Sequence, residues 1–150
     1  RIFDELKKIT NLENIYSLFS NKESKEIILS IFPQFKFCER LENFNNLNRK
    51  LRDLYTYKLI LSLLIVDQTD NYEFFCYKYK VSNNIKNKFK NISKNFENLK
   101  SKKFYSRENI KKLIYFMDKD SVRDLLFFSL CLDDKIKNLD IKQLLDYIST

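Results

Sequence analysis

The chain has 150 residues, 44% of them hydrophobic and 15% aromatic, with a net charge of +8; that is one domain's length, able to bury a continuous core and too apolar to be disordered. Glycine and histidine are absent, which excludes a P-loop or a glycine-rich dinucleotide fingerprint and removes the commonest general base and metal ligand. Cys38, Cys76 and Cys131 are odd in number and far apart, with no CxxC spacing. They indicate neither a zinc site nor a disulfide framework, and a reducing compartment is expected, cytoplasm or an organelle matrix.

Apolar residues recur at helical spacing along almost the whole chain, so the expected fold is all-α, an irregular domain of about eight to ten short helices over residues 1–150. Ile2, Leu6 and Ile9 mark the first helix, and Leu12, Ile15, Leu18 and Phe19 the second. Ser24 is the expected cap of a third, with Ile27, Ile28 and Ile31 as its stripe and Pro33 ending it near Phe32. No periodicity decides Phe37 to Asn48. Leu51 to Val66 reads as one helix, polar at its start and apolar all round at its end, as a central helix entering a core would be. Its longest apolar run, Leu59 to Val66 with Ser62 inside it, is far short of the roughly 20 residues that cross a bilayer. Neither a membrane span nor a signal peptide is read, and a start at Arg1 rather than methionine leads us to expect a fragment or a processed product.

A turn at Asp67 to Asn71 leads to a face of Tyr72, Phe75, Cys76 and Tyr79; a strand there would need an alternation that fails at Phe74, Phe75 and Cys76. Ser82 should cap the clearest helix, with Ile85, Phe89, Ile92, Phe96 and Leu99 spaced by four, three, four and three. Ser106 should cap the next, which carries Ile110, Leu113, Ile114 and Met117. Asp120 or Ser121 should cap one with Val122, Leu125, Leu126 and Ser129, and Asp140 one with Ile141, Leu144, Leu145 and Ile148.

The candidate chemistry is sparse. Asp118 and Asp120 have the D-x-D spacing that can hold two magnesium ions, but they precede an apolar helix, where acids act as caps and complement the dipole. Asp133 and Asp134 read as a helix exit and loop. No catalytic or metal site is therefore assigned to this chain.

Charge is distributed unevenly. From Lys78 to Lys112 there are twelve Lys or Arg and two acids, Glu97 and Glu108, a net charge of +10; the remainder is slightly acidic. Lysine and asparagine share A/T-rich codons, so genome bias accounts for part of the lysine count, yet asparagine could have filled these positions equally well. At about 100° per residue, Lys86, Lys90 and Lys94 form a ridge on the flank away from Ile85, Phe89 and Ile92. Their ammonium groups rise roughly 6 Å apart, close to the phosphate spacing of one strand. Lys100, Lys102, Lys103, Arg107, Lys111 and Lys112 continue the patch. Such a run attracts polyanions through counterion release, and a nucleic acid is the expected partner. Tyr79, Phe104 and Tyr105 lie beside it, either as stacking groups or, as aromatics at helical spacing more often are, as core.

Several motifs resemble one family. Arg1-Ile2-Phe3-Asp4-Glu5-Leu6-Lys7-Lys8-Ile9 is similar to the E-R-I-x-x-E-L-x-K-I-L segment that joins catalytic and C-terminal regions in bacterial CCA-adding tRNA nucleotidyltransferases and their poly(A) polymerase relatives. Ile31-Phe32-Pro33 resembles the I-L-P that ends a short helix there, and Lys80-Val81-Ser82-Asn83 the L-R-L-S-N helix entry. Leu113-Ile114-Tyr115-Phe116 and Ser121-Val122-Arg123-Asp124-Leu125-Leu126 are similar to a late helix pair, in the same order along the chain. Asp118-Lys119 departs from the family's usual glycine, and residues 37–48 match nothing in it. The resemblance implies that 1–35 is a neck-to-body junction and 36–150 the helical body and tail that holds a tRNA's acceptor stem and elbow. The catalytic head would lie upstream, in the same or another chain, and would carry the magnesium and the ATP or CTP; this chain would hold no cofactor. Duplex RNA would be recognised by shape and phosphate contact. The rival reading is a helical structural or interaction subunit whose lysines confer solubility.

Overall fold

The computed structural model describes residues 2–10, 15–46, 56–132 and 138–149. Leu12, Leu51, Asp133 and Asp134, which entered the sequence reading, lie outside them, as do the side chains of Ile15 and Asp140. Ten α-helices and no strand are present among the described residues: α1 (Ile2–Thr10), α2 (Ile15–Ser20), α3 (Lys22–Ile31), α4 (Glu39–Asn45), α5 (Tyr57–Ile65), α6 (Asn71–Lys78), α7 (Asn83–Asn95), α8 (Arg107–Phe116), α9 (Lys119–Cys131) and α10 (Asn138–Ser149). Two 3-10 turns, Asn98–Lys100 and Lys102–Tyr105, link α7 to α8. The all-α expectation holds.

Two helices make the centre. Every residue of α5 from Leu59 to Ile65 is buried, and α5 packs on α1, α4, α6, α7 and α9. An apolar run with no polar face must be covered on all sides. Helix α9 buries Val122 and Leu125 to Cys131 and packs on α4, α5, α7, α8 and α10. The buried hydroxyls of Ser62 and Ser129 donate to the carbonyls of Leu59 and Leu126, at 2.7 and 2.6 Å; this is how a serine is accommodated in an apolar helix.

Several boundaries differ from the sequence reading. Helix α3 is capped by Asn21, whose Oδ1 accepts from the Ser24 N–H at 3.1 Å, so Ser24 lies inside the first turn rather than at the cap. In the same helix Ile28 turns toward the core while Ile27 and Ile31 are exposed. In α1 Leu6 is buried and Ile9 packs against the core as expected, but Ile2 is exposed and Phe3 and Thr10 complete the inward face; Thr10 can be buried because its hydroxyl bonds the Leu6 carbonyl at 3.1 Å. Helix α5 begins at Tyr57, since Thr56 is extended and its Oγ1 accepts from the Leu59 N–H at 3.3 Å. Helix α9 is capped by Asp118 rather than Asp120 or Ser121, and α10 begins at Asn138, ahead of Asp140. The undecided segment contains α4, with Arg40, Leu41 and Phe44 buried.

The inward stripe of the clearest helix holds, although α7 ends at Asn95, Leu99 falls in the 3-10 turn after it, and Ser82 stands at the cap position without a side-chain hydrogen bond. Ile85, Phe89, Ile92 and Leu99 are buried, and Phe96 packs against the core with its ring edge-on to Phe128. No helix among the described residues is long and apolar enough to cross a membrane.

Candidate nucleic-acid interface

Helix α7 positions the ridge. With Phe89 wholly buried against α5 and α9, the opposite face must meet solvent, and Lys86, Lys90 and Lys94 are all exposed there. Lys88, on the flank nearer the core, is drawn inward to Asp124 of α9 at 3.5 Å. Burial raises the Asp124 carboxyl above its ordinary value, and Lys88 opposes that shift. The pair ties α7 to α9, so Lys88 belongs to the packing rather than to the ridge.

The chain then folds back through the two 3-10 turns. Asn95, Asn98, Ser101, Lys103, Phe104, Asn109 and Leu113 line a polar groove of about 260 Å³ where the end of α7 meets the turns and the start of α8. Its carboxamides are braced: Asn95 Nδ2 donates to the Asn91 carbonyl at 2.8 Å, Asn98 Nδ2 to Asn95 Oδ1 at 3.3 Å, and Asn109 Nδ2 to the Phe104 carbonyl at 2.8 Å. Helix α8 starts at Ser106, whose Oγ accepts from the Asn109 N–H. This fold-back brings Lys103 to the end of the helix that carries the ridge.

All nine cations of the sequence-read patch are exposed: Lys86, Lys90, Lys94, Lys100, Lys102, Lys103, Arg107, Lys111 and Lys112. Lys100 is partly engaged, with Glu97 at 3.6 Å and over the Phe96 ring at 5.4 Å, and Arg107 lies 5.1 Å from the Tyr147 ring centroid. No ion pair among the described residues involves the other seven. Glu97 titrates below its ordinary value because the Gln68 side chain, and then Lys100, favour its charged form.

Of the two readings of the aromatics beside the patch, the core one holds. Phe104 is buried, Tyr105 donates its hydroxyl to the Leu99 carbonyl at 2.5 Å, and Tyr79 donates to the Ile31 carbonyl at 3.0 Å with its ring against Phe32 and Phe75. These three are structural. The exposed pair is instead Tyr115 and Phe116, 84% and 81% exposed, with ring centroids 5.4 Å apart. They follow Lys111 and Lys112 by four residues, so α8 presents two cations and two rings on neighbouring rows. The sequence held that signal: the stripe Ile110, Leu113, Ile114 and Met117 leaves positions 115 and 116 outside.

The rival chemistry finds other uses for its groups. Asp118 Oδ1 accepts from the Ser121 N–H at 2.6 Å, and Asp120 pairs with Arg123 at 2.8 Å. The three cysteines are free thiols, and burial pushes Cys76 up to about 11 and Cys131 up to about 12, away from nucleophilic character. Comparison of the chain with protein-family models, with curated protein sequences and with solved structures gives no match.

Proposed function

We propose that this chain is an RNA-holding helical domain that grips folded RNA through its phosphates. The observation that carries the reading is the exposure of nine cations on consecutive elements from α7 to α8, all but Lys100 outside any ion pair among the described residues. Each ammonium that replaces a condensed counterion adds affinity at low salt, and half a dozen suffice for useful non-specific binding. Tyr115 and Phe116 add a stacking surface for an unpaired base at the edge of the duplex. The RNA is a tRNA, and the chain the body and tail of a tRNA nucleotidyltransferase, on the strength of the motifs at Arg1–Ile9, Ile31–Pro33, Lys80–Asn83 and Leu113–Leu126. Nucleotide addition would then belong to a head upstream.

The test is a titration of folded tRNA, against a single strand of equal length, across a range of salt. A shape reader binds the folded molecule more tightly. Equal affinity for both, or no binding at low salt, refutes the proposal and leaves the interaction subunit, for which exposed Ile27 and Ile31, one turn apart on α3, would be the contact.

A further inference from the structure

A second concave surface is built from different elements. Pro33, Gln34 and Lys36, after α3, face Asn71, Phe74, Tyr77 and Lys78 of α6 across a largely apolar groove of about 500 Å³, the size of small-molecule sites. Because α6 turns Tyr72, Phe75 and Cys76 inward, Phe74 and Tyr77 stand on its outer face, 61% and 88% exposed. The floor is fixed: Asn71 Nδ2 donates to the Gln34 carbonyl at 2.9 Å and to the Ile65 carbonyl at 2.8 Å. Gln34 also lines the groove, and its Oε1 is closed off from solvent without a hydrogen-bond partner, the one such side-chain atom among the described residues. An acceptor left in that state is costly. Its terminal amide torsion is soft, so a ligand N–H in the groove can draw it round and supply the missing bond. Lys36 and Lys78 are exposed at the rim.

Aromatic walls, one unmet carboxamide oxygen and two cations at the mouth define a ligand with a planar ring, an N–H edge and an anionic tail. We infer that this groove binds a nucleotide, with its base on Phe74 and Tyr77, its amino edge on the Gln34 carboxamide and its phosphate on Lys36 and Lys78. A carboxamide meets the donor and acceptor edge of adenine with both its groups. An aliphatic or apolar peptide would leave Oε1 unpaired and the cations unused. The same chemistry is offered by a free nucleotide and by an unpaired nucleotide of an RNA chain. The inference stands on residues outside the lysine ridge and does not require it.

The experiment is calorimetric titration of the whole chain at low salt with AMP, with purine riboside 5′-monophosphate, which lacks the amino group, and with adenosine, which lacks the phosphate. AMP should bind about tenfold more tightly than the purine analogue, the effect of one hydrogen bond. Gln34→Met should abolish that preference without lowering thermal stability, since its Oε1 has no partner among the described residues to lose. The Lys36→Gln, Lys78→Gln pair should abolish the preference for AMP over adenosine. The variant with Lys86, Lys90 and Lys94 changed to Gln should bind AMP unchanged, which separates this groove from the ridge. A pentaadenylate titrated into that variant distinguishes the sources: binding much tighter than AMP assigns the groove to an RNA strand, and equal binding to a free nucleotide. Absence of saturable binding by both AMP and pentaadenylate overturns the inference, as does an AMP preference that survives Gln34→Met.

Discussion

The guanidinium of Arg40 donates to the carbonyl of Val66 at 2.6 Å, and with the same nitrogen to that of Leu63 at 3.0 Å. It thereby closes the C-terminal end of α5, the negative end of the most buried helix. Phe37 stacks on it at 3.9 Å, with Phe128 at 5.0 Å. Burial pushes the guanidinium down to about 10, against the pull of Glu39 and Asp67, so it stays charged at neutral pH. A buried cation here satisfies carbonyls that an apolar neighbour would leave unpaired.

Arg40→Ala should therefore destabilise the domain by about 2–5 kcal/mol, the cost of leaving two buried carbonyls unpaired. Phe89→Ala, which empties a wholly buried site in α7, should cost about as much through its cavity. Urea unfolding measures both. A cost below about 1 kcal/mol for Arg40→Ala would mean that water serves the two carbonyls equally well.

At the start of α9, Asp118→Ala should cost about 1 kcal/mol and Asp118→Asn little, because asparagine caps as well as aspartate. The charged form of Asp118 is held below its ordinary pKa of 3.8, chiefly by the Ser121 N–H. A lowered folded value means that the added stability is fully present above 3.8 and is lost as the pH falls through the lowered value. Acid titrations of thermal stability should show that loss in the parent chain and not in the asparagine variant.

Lys80 sits at φ 53, in the left-handed region, at the end of α6, where the Val81 N–H reaches back to the Cys76 carbonyl at 3.0 Å. Glycine is the usual residue in this motif, and the chain has none. Lys80→Gly should raise stability by about 0.5–1 kcal/mol, the relief of backbone strain less the extra freedom of the unfolded chain. Lys80→Val should lower it. Denaturant midpoints of the two variants should move in opposite directions.

For the RNA reading, Lys86, Lys90 and Lys94 changed together to Gln should leave the fold intact, as all three are exposed and Gln has nearly the helix propensity of Lys. The slope of log affinity against log salt should become shallower by roughly two to three units. Lys8 and Lys22, exposed on α1 and α3, are the controls; Lys7 is unsuitable because its ammonium lies over the Phe3 and Tyr57 rings. Tyr115→Ser with Phe116→Ser should weaken binding of RNA carrying an unpaired 3′ end about tenfold, within the range for one lost stack, and leave blunt duplex binding unchanged. Equal losses in ridge and control variants would sink the interface.

Much of this could be read along the chain, because helical periodicity and charge are properties of neighbours. The Phe89 stripe, the helical state of Tyr72 to Tyr79, the Ser106 cap and the lysine ridge all follow from spacings of three and four. That Asn21 and not Ser24 caps α3, and Asp118 and not Asp120 or Ser121 caps α9, did not follow, since several residues within one turn can each cap. The structural roles of Tyr79 and Tyr105 likewise required knowing which carbonyls their hydroxyls could reach, and that of Phe104 which elements cover it. Arg40 lies in the segment that no periodicity decides, and its role depends on α4 packing against the end of α5, 23 to 26 residues along the chain. The groove between Pro33 and Tyr77 exists because the Asn71 amide joins the Gln34 carbonyl to the end of α5. Sequence by itself determined an all-helical chain with a cationic stretch. Tertiary structure alone decided which polar groups were buried and had to find partners, since that depends on the covering elements and not on the residue's neighbours in the chain.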